Sequence, residues 1–276
     1  SRVLTPEILR LAKAVAATYA GTVDDVLRLA IPKRHAAAEK RLTEASARQQ
    51  SLVAAGAVSS VPVPGEASPV NPRSGYPAGP AWLRRIAAGE APAAAWLALP
   101  GQSPDTDWPA AFAEAAAAAL DGGRGVILVL PDGRDVDRVD AALTSRLGSD
   151  RHVRLTADQG PQARYTAWLK VLRGQVRCVV GNRAAAFAPV SDLGLVAWWD
   201  DGDDLHGEPR APYPHMREVL RLRARQSRAA LLVGGFAMTP QTARRVDSGD
   251  YRLVAAELLT VRQAAPTVSV AGEGAD

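Results

Sequence analysis

The chain has 276 residues, long enough for one large domain or two smaller ones with a sizeable core, and its single cysteine, Cys178, excludes a disulfide framework or a cysteine-based zinc site within it. The formal charge is +4. Nearly every cation is an arginine, whose planar fork suits phosphate, so a nucleic-acid partner is allowed; arginine-for-lysine usage in a GC-rich genome explains the same composition, and composition alone does not choose.

No apolar run reaches the roughly eighteen residues of a membrane span. Ser1-Arg2-Val3-Leu4-Thr5-Pro6 is no signal peptide, so the chain is expected to be soluble and intracellular. It lacks an initial methionine and opens in mid-pattern, as a piece excised from something longer is expected to do.

Thr5-Pro6-Glu7 predicts a capped helix with Ile8, Leu11, Ala12, Val15 and Tyr19 on its apolar face. Gly21 ends it, and Asp24 to Pro32 reads as a second short helix. Neither buries both faces alone, so the pair is expected to dock on the body of the chain or on a missing partner. From Ala36 to Ala55 the pattern is helical and charged, and Val58 to Gly79 has the Pro, Gly and Ser content of an extended linker.

Beyond Gly79 helices and strands alternate. Helices are predicted over 81–86, 109–120, 136–147, 161–172 and 214–226, the fourth with Tyr165, Trp168, Leu169 and Leu172 on one face. Strands are predicted over 93–101 (running into a loop), 125–131, 153–156, 176–181 and 229–234, with a further one from Leu193 to Trp199. Such alternation implies βαβ units: an α/β, doubly wound, mainly parallel sheet with helices on both faces, preceded by the small helical segment and the linker. Cys178, in mid-strand, is read as a small core residue.

In an open parallel sheet, ligands gather outside the carboxyl ends of the strands. There the strand Leu193–Trp199 breaks into Asp200, Asp201, Gly202, Asp203 and Asp204, where a nucleotide-hydrolysing enzyme would hold its metal. A phosphate loop belongs after the first strand and needs glycine amides and a lysine. Leu99 to Pro109 offers Gly101, no lysine, and Asp105 and Asp107, which would repel a triphosphate. As a nucleotide site the loop fails.

Several stretches stand at the spacing of motifs of one known family. Ala167-Trp168-Leu169-Lys170 resembles AWLK, and Gly181-Asn182-Arg183-Ala184-Ala185-Ala186-Phe187-Ala188-Pro189 resembles GTRSALFTP. Leu193-Gly194-Leu195-Val196 resembles the strand before a DEEH box, His215-Met216-Arg217 resembles HAR, and Asp250-Tyr251-Arg252-Leu253 resembles KYRL. Together they resemble the replication restart proteins PriA (primosomal protein N′). The resemblance implies a RecA-like first helicase lobe over 80–276 and the end of an N-terminal DNA-binding domain over 1–35, joined by a helix and linker over 36–79. The linker has no clear counterpart of the family's winged helix.

The departures from the family pattern fall on its nucleotide motifs. Asp107, Trp108 and Pro109 stand where Gly-Lys-Thr is expected. Trp199, Asp200, Asp201 and Gly202 stand where DEEH is expected, and Gly234-Gly235-Phe236-Ala237-Met238 replaces GSATP. The resemblance is to the actinobacterial branch with degenerate helicase motifs. It implies a scaffold that recognises stalled or forked DNA without nucleotide hydrolysis, in the cytoplasm with the nucleoid, alongside single-stranded DNA, single-strand-binding protein, and primosome and helicase-loading proteins. The zinc it implies lies in a region this chain does not contain, so no cofactor is expected here; intact members are ATP-dependent 3′-to-5′ DNA helicases.

The competing reading is a Mg²⁺-dependent nuclease or phosphatase built on Asp200, Asp201, Asp203 and Asp204, although spacing shows no evident general base or basic clamp beyond the loop histidine His206. A solvated acidic loop accounts for the same residues. His215, after Pro214, is expected to open the following helix. Trp198 and Trp199 point to opposite faces of their strand, which leaves one for the core and one to cap the nucleotide position or stack on a base. Arg217, Arg221, Arg225 and Arg228 recur at helical spacing while Met216, Leu220 and Ala224 face the sheet; a positive stripe offset within the helix only by Glu218 reads either as a solvated side whose arginines pair with neighbouring acids or as a surface that touches DNA phosphates.

Overall fold

A computed structural model of the chain describes residues 3–54 and 75–266, so most of the expected linker lies outside the described residues. Three helices come first: α1 (Pro6–Thr18), α2 (Val23–Ala30) and α3 (Ala36–Ala54). Thr5 and Thr22 cap the first two, accepting from the amides of Ile8 and Asp25. Then come α4 (Gly79–Ala87), β1 (Ala93–Leu97), α5 (Trp108–Asp121), β2 (Gly125–Val129), α6 (Gly133–Leu147), β3 (Val153–Leu155), α7 (Gly160–Leu172) and β4 (Cys178–Gly181). A 3₁₀ turn, Arg183–Phe187, leads to β5 (Leu193–Trp199), α8 (Met216–Ser227) and β6 (Ala230–Gly235). The chain closes with α9 (Pro240–Asp247), β7 (Arg252–Val254) and α10 (Leu258–Ala264), which the pattern reading had not assigned.

The strands form one seven-stranded sheet in the order β3-β4-β2-β5-β6-β1-β7, parallel at every pairing. The central strand β5 is buried along its whole length, which is why it reads as an unbroken apolar run. Its side chains alternate between two cores. Val196 and Trp198 join a cluster made with α1, α2, α3, α7 and α8, while Leu195, Ala197 and Trp199 join one made with α4, α5 and α6. The sheet is covered on both faces, as the alternation of elements implied.

The N-terminal helices contribute Ile8, Leu11, Val15, Val26 and Leu42 to the first of these cores and have no core of their own. Tyr19 Oη accepts from the amide of His215 at 3.0 Å, and Gly21 lies so close to Pro212 that a Cβ there would sit 2.3 Å from the ring. That contact explains a glycine at the end of α1 better than helix termination alone. Docking on the body of the chain, one of the two expected outcomes, is what the fold displays.

Candidate functional site at the sheet edge

The carboxyl ends of β1, β5 and β6 converge where the sequence placed its three departures. Asp107 caps α5, its Oδ1 accepting from the Trp108 amide at 2.8 Å, and its Oδ2 accepts from Arg138 of α6 at 2.6 Å. A helix start is ordinarily an anion site because its first amides point outward into a positive field. Here the chain's own carboxylate occupies it, and Pro109 removes one of those amides.

Trp108 is 2% exposed and turns back beneath the cap. It stacks on Trp199 of β5 with ring centroids 4.2 Å apart and planes 7° from parallel. The Arg138 guanidinium lies 4.9 Å from the Trp108 ring centre on top of this pair. Trp96, Phe112 and Phe236 surround the stack with centroids 5.1–6.2 Å from one another or from the tryptophans. Gly234 makes this possible. It is the register partner of both Trp96 and Trp199, and a Cβ there would lie 3.0–3.1 Å from Trp96, Phe112 and Trp199. Phe236, at 55% exposure, closes the cluster on the solvent side. Each of the three departing motifs thus supplies one aromatic side chain to a single cluster. Arg138 was not among the expected site residues, whereas Gly234 and Phe236 belong to the stretch that stands in place of GSATP; the aromatics at the ends of β5 and β6, Trp199 and Phe236, are the sequence signal that links the departing motifs.

The acidic loop does not gather into one site. Asp200 is exposed with φ +53°, whereas Asp201 is 3% exposed and turned toward α8 and α9. Asp201 Oδ1 accepts from Trp198 Nε1 (2.9 Å) and Arg217 Nε (2.6 Å), and Oδ2 from Thr239 (2.5 Å) and Thr242 (2.7 Å). Burial pushes its carboxyl up, but these donors outweigh burial and hold it below the ordinary carboxylate range. Gly202 lies against the Thr239 methyl, and Asp203 caps a 3₁₀ turn by accepting from the Leu205 amide at 2.7 Å. His206 is buried with Nε2 2.8 Å from the Trp199 carbonyl oxygen, and burial lowers its pKa. Asp135 of α6, pushed by burial and by Asp132 to a pKa of about 6, also feels Asp200 and Asp203. Among the described residues no group of three or more His, Cys, Asp or Glu side chains is arranged to hold a metal ion. Cys178 is fully buried in β4, its thiol pushed by burial up to about 12, and offers no zinc ligand.

Two expectations are corrected by this geometry. Trp198 and Trp199 are 1% and 4% exposed, so neither is free to stack on a base, although they do face opposite cores as expected. The α8 arginines are not a uniform free stripe, because the loop supplies a second acid. Arg217 is spent on Asp201, donating to both its carboxylate and its carbonyl, and Arg221 is held by both oxygens of Glu218 at 2.9 Å. Arg225 and Arg228 are exposed. His215 caps α8 by accepting from the Arg217 amide, as expected.

A second concentration of cations lies along the same sheet edge. A groove of about 400 Å³ runs between α2, α7 and the 205–210 loop, lined among others by Leu29, Arg164, Asn182, Arg183, Glu208 and Arg210. Glu208, 6% exposed, pairs with Arg210 at 2.7 Å and Arg183 at 3.5 Å. Arg164 makes no ion pair or hydrogen bond among the described residues; burial and then the nearby Arg210 lower its pKa. Glu208, and Asp158 which also lines the groove, offset part of this charge, so Arg164 is the arginine left to favour an anion from outside. Sequence spacing could not find this, since Arg164, Arg183 and Arg210 meet only through the fold.

The all-parallel, doubly wound sheet with its loop-built carboxyl edge defines an open-sheet α/β lobe. No protein-family model matches the chain. It is 46% identical over 268 residues to the probable replication restart protein PriA of Mycobacterium tuberculosis, covering 96% of this chain and 38% of that protein. Its likeness to the probable replication restart protein PriA of Deinococcus radiodurans is 32% over 168 residues, covering 57% of this chain and 18% of that protein. Over the span it shares with them, the chain belongs to the PriA replication restart family. It spans less than half the length of these curated relatives. Among solved structures, a DEAD box protein from Methanococcus jannaschii is loosely similar, with 13% identity, a TM-score of 0.46, and coverage of 65% of this chain and 49% of that one.

Proposed function

We propose that this chain is a DNA-binding, helicase-like lobe that serves replication restart as a scaffold, without binding or hydrolysing ATP. The aromatic cluster carries the reading. Where a motor of this family would set a lysine, a metal-holding acid and a coupling loop, Trp108, Trp199 and Phe236 pack on one another, and Asp107 holds the helix start that a phosphate would need. A triphosphate would have to displace a buried tryptophan stack and a carboxylate.

DNA enters this reading through surface cations. Arg225 and Arg228 at the end of α8, and Arg164 in the groove beside the Glu208-bound Arg183 and Arg210, can meet phosphates without reading bases. The fork-shaped or single-stranded character of the DNA, and the company of single-strand-binding, primosome and helicase-loading proteins, are carried by the motif resemblance alone, since the names of the relatives say only replication restart. The nuclease or phosphatase alternative finds no support in Asp201, whose two oxygens are filled by internal donors.

Fluorescence anisotropy with forked and blunt duplexes, each with and without MgATP, tests the proposal. Tighter binding of the fork, unchanged by MgATP, is expected. Absence of DNA binding, or affinity that responds to MgATP, contradicts it.

A further inference from the structure

Arg223 lies on the inward face of α8 and is 5% exposed. Burying a guanidinium is costly unless its charge is paired, yet no carboxylate forms an ion pair with it among the described residues; Glu7 of α1 acts only through its field. Burial lowers its pKa to about 9. Its donors are instead spent on backbone oxygens: Nη1 on Ala186 at 2.8 Å and Nη2 on Ala188. Both carbonyls belong to the segment that begins at Asn182, runs through the 3₁₀ turn and reaches Val190. Beyond the bonds within the 3₁₀ turn, the amides of Ala185, Ala188 and Val190 donate to the carbonyls of residues 182, 185 and 188.

The other side of the same segment is a wall of the arginine groove, which Asn182, Arg183, Ala184 and Phe187 help to line. The helices α1 and α2 pack on α8 and on the 3₁₀ turn, and close the space around Arg223 from solvent. We infer that Arg223 is a positioning residue: a buried post that fixes the wall of the groove from inside, and so sets where Arg183 stands relative to Arg164 and Arg210. An apolar side chain of the same length would fill the volume but leave two buried carbonyl oxygens without their donors. It could not hold two carbonyls. The functional half of this inference rests on the proposed DNA-binding reading; the positional half does not.

The test compares the whole chain with Arg223→Met and Arg223→Lys by hydrogen exchange over residues 182–190 and by anisotropy with a single-stranded oligonucleotide across a salt series. In Arg223→Met, amide protection of 182–190 is expected to fall at least about tenfold, while helices away from the segment keep theirs. Affinity should drop by about tenfold, and log affinity against log salt should flatten by about one unit as one phosphate contact is lost. Arg223→Lys, which keeps the charge and can still reach one carbonyl, should recover part of both; should the methionine variant fail to fold, the lysine variant alone is expected to show the same losses in smaller measure. Unchanged protection of 182–190 in both variants overturns the positioning role. Lost protection with unchanged DNA affinity overturns its link to binding, and a wild-type chain that binds no oligonucleotide while Arg223→Met still loosens the segment overturns the DNA reading and leaves the positioning role standing.

Discussion

Trp108 and Trp199 are stacked in near-parallel contact, 4.2 Å between ring centroids, although 91 positions separate them in sequence (199 − 108). Each fills the face that the other would otherwise leave empty. Their worth should therefore be shared rather than additive. Trp108→Ala and Trp199→Ala are each expected to cost about 3–5 kcal/mol of stability, and the double variant less than the sum by about 0.5–1.5 kcal/mol. Urea denaturation of the four proteins measures this, and strict additivity would mean that the stack contributes nothing beyond burial.

Gly234 gives an independent check on the same cluster. Gly234→Ala introduces a methyl group 3.0–3.1 Å from three aromatic rings, two of them on neighbouring strands that cannot easily part. It should destabilise by about 1–3 kcal/mol. Gly133→Ala, whose new Cβ meets nothing within 4 Å, is the control and should be close to neutral.

Asp201 and Asp135 should respond to pH with opposite sign. Asp201 has a folded pKa below its ordinary 3.8, so its contribution is fully present above that value and is lost as pH falls through the lowered one. Asp201→Asn should cost about 3–5 kcal/mol at neutral pH by stranding Arg217, with the gap to wild type narrowing only below the ordinary carboxylate value. Asp135 has a folded pKa raised to about 6, so its protonated form favours the fold at low pH and that advantage is lost as pH rises from 3.8 through about 6. Asp135→Asn should accordingly gain about 1 kcal/mol at pH values above 6, a modest figure because the group is partly exposed. Denaturation midpoints between pH 3 and 8 decide both signs.

The α8 arginines should separate into two classes. Arg225→Ala with Arg228→Ala is expected to leave the fold intact, weaken binding to all DNA sequences alike, and lower the slope of log affinity against log salt by about one to two units. Arg217→Ala should instead lose stability, because it leaves Asp201 buried without its cation. A stable Arg217→Ala protein with a reduced salt slope would mean that Arg217 touches DNA after all.

Much of the sheet was legible because each strand is a short apolar run between turn residues, and the six strands expected between Ala93 and Gly234 are all present. The strand β7 escaped notice because it is only three residues long, Arg252–Val254, too short at a sheet edge for an apolar run or an alternation to mark it. The strand order was not legible at all, since pairing between β1 and β6 joins residues far apart in sequence. In the site, the departures at Trp108 and Trp199 could be read, but not that they touch. Helical spacing alone placed Arg217 with Arg225, because it is blind to the acid that Asp201 brings from another element. Arg164 and Arg210 were missed for the same reason: like charges that meet through the fold leave no periodic trace.

Isothermal titration of the chain with MgATP tests most directly whether aromatic packing has taken the place of the nucleotide. No saturable heat is expected at micromolar to millimolar ligand, and none should appear when forked DNA is present. A stoichiometric, saturable heat at micromolar MgATP would contradict the account, because the Trp108–Trp199 stack and the Asp107 cap cannot stay in place around a bound triphosphate.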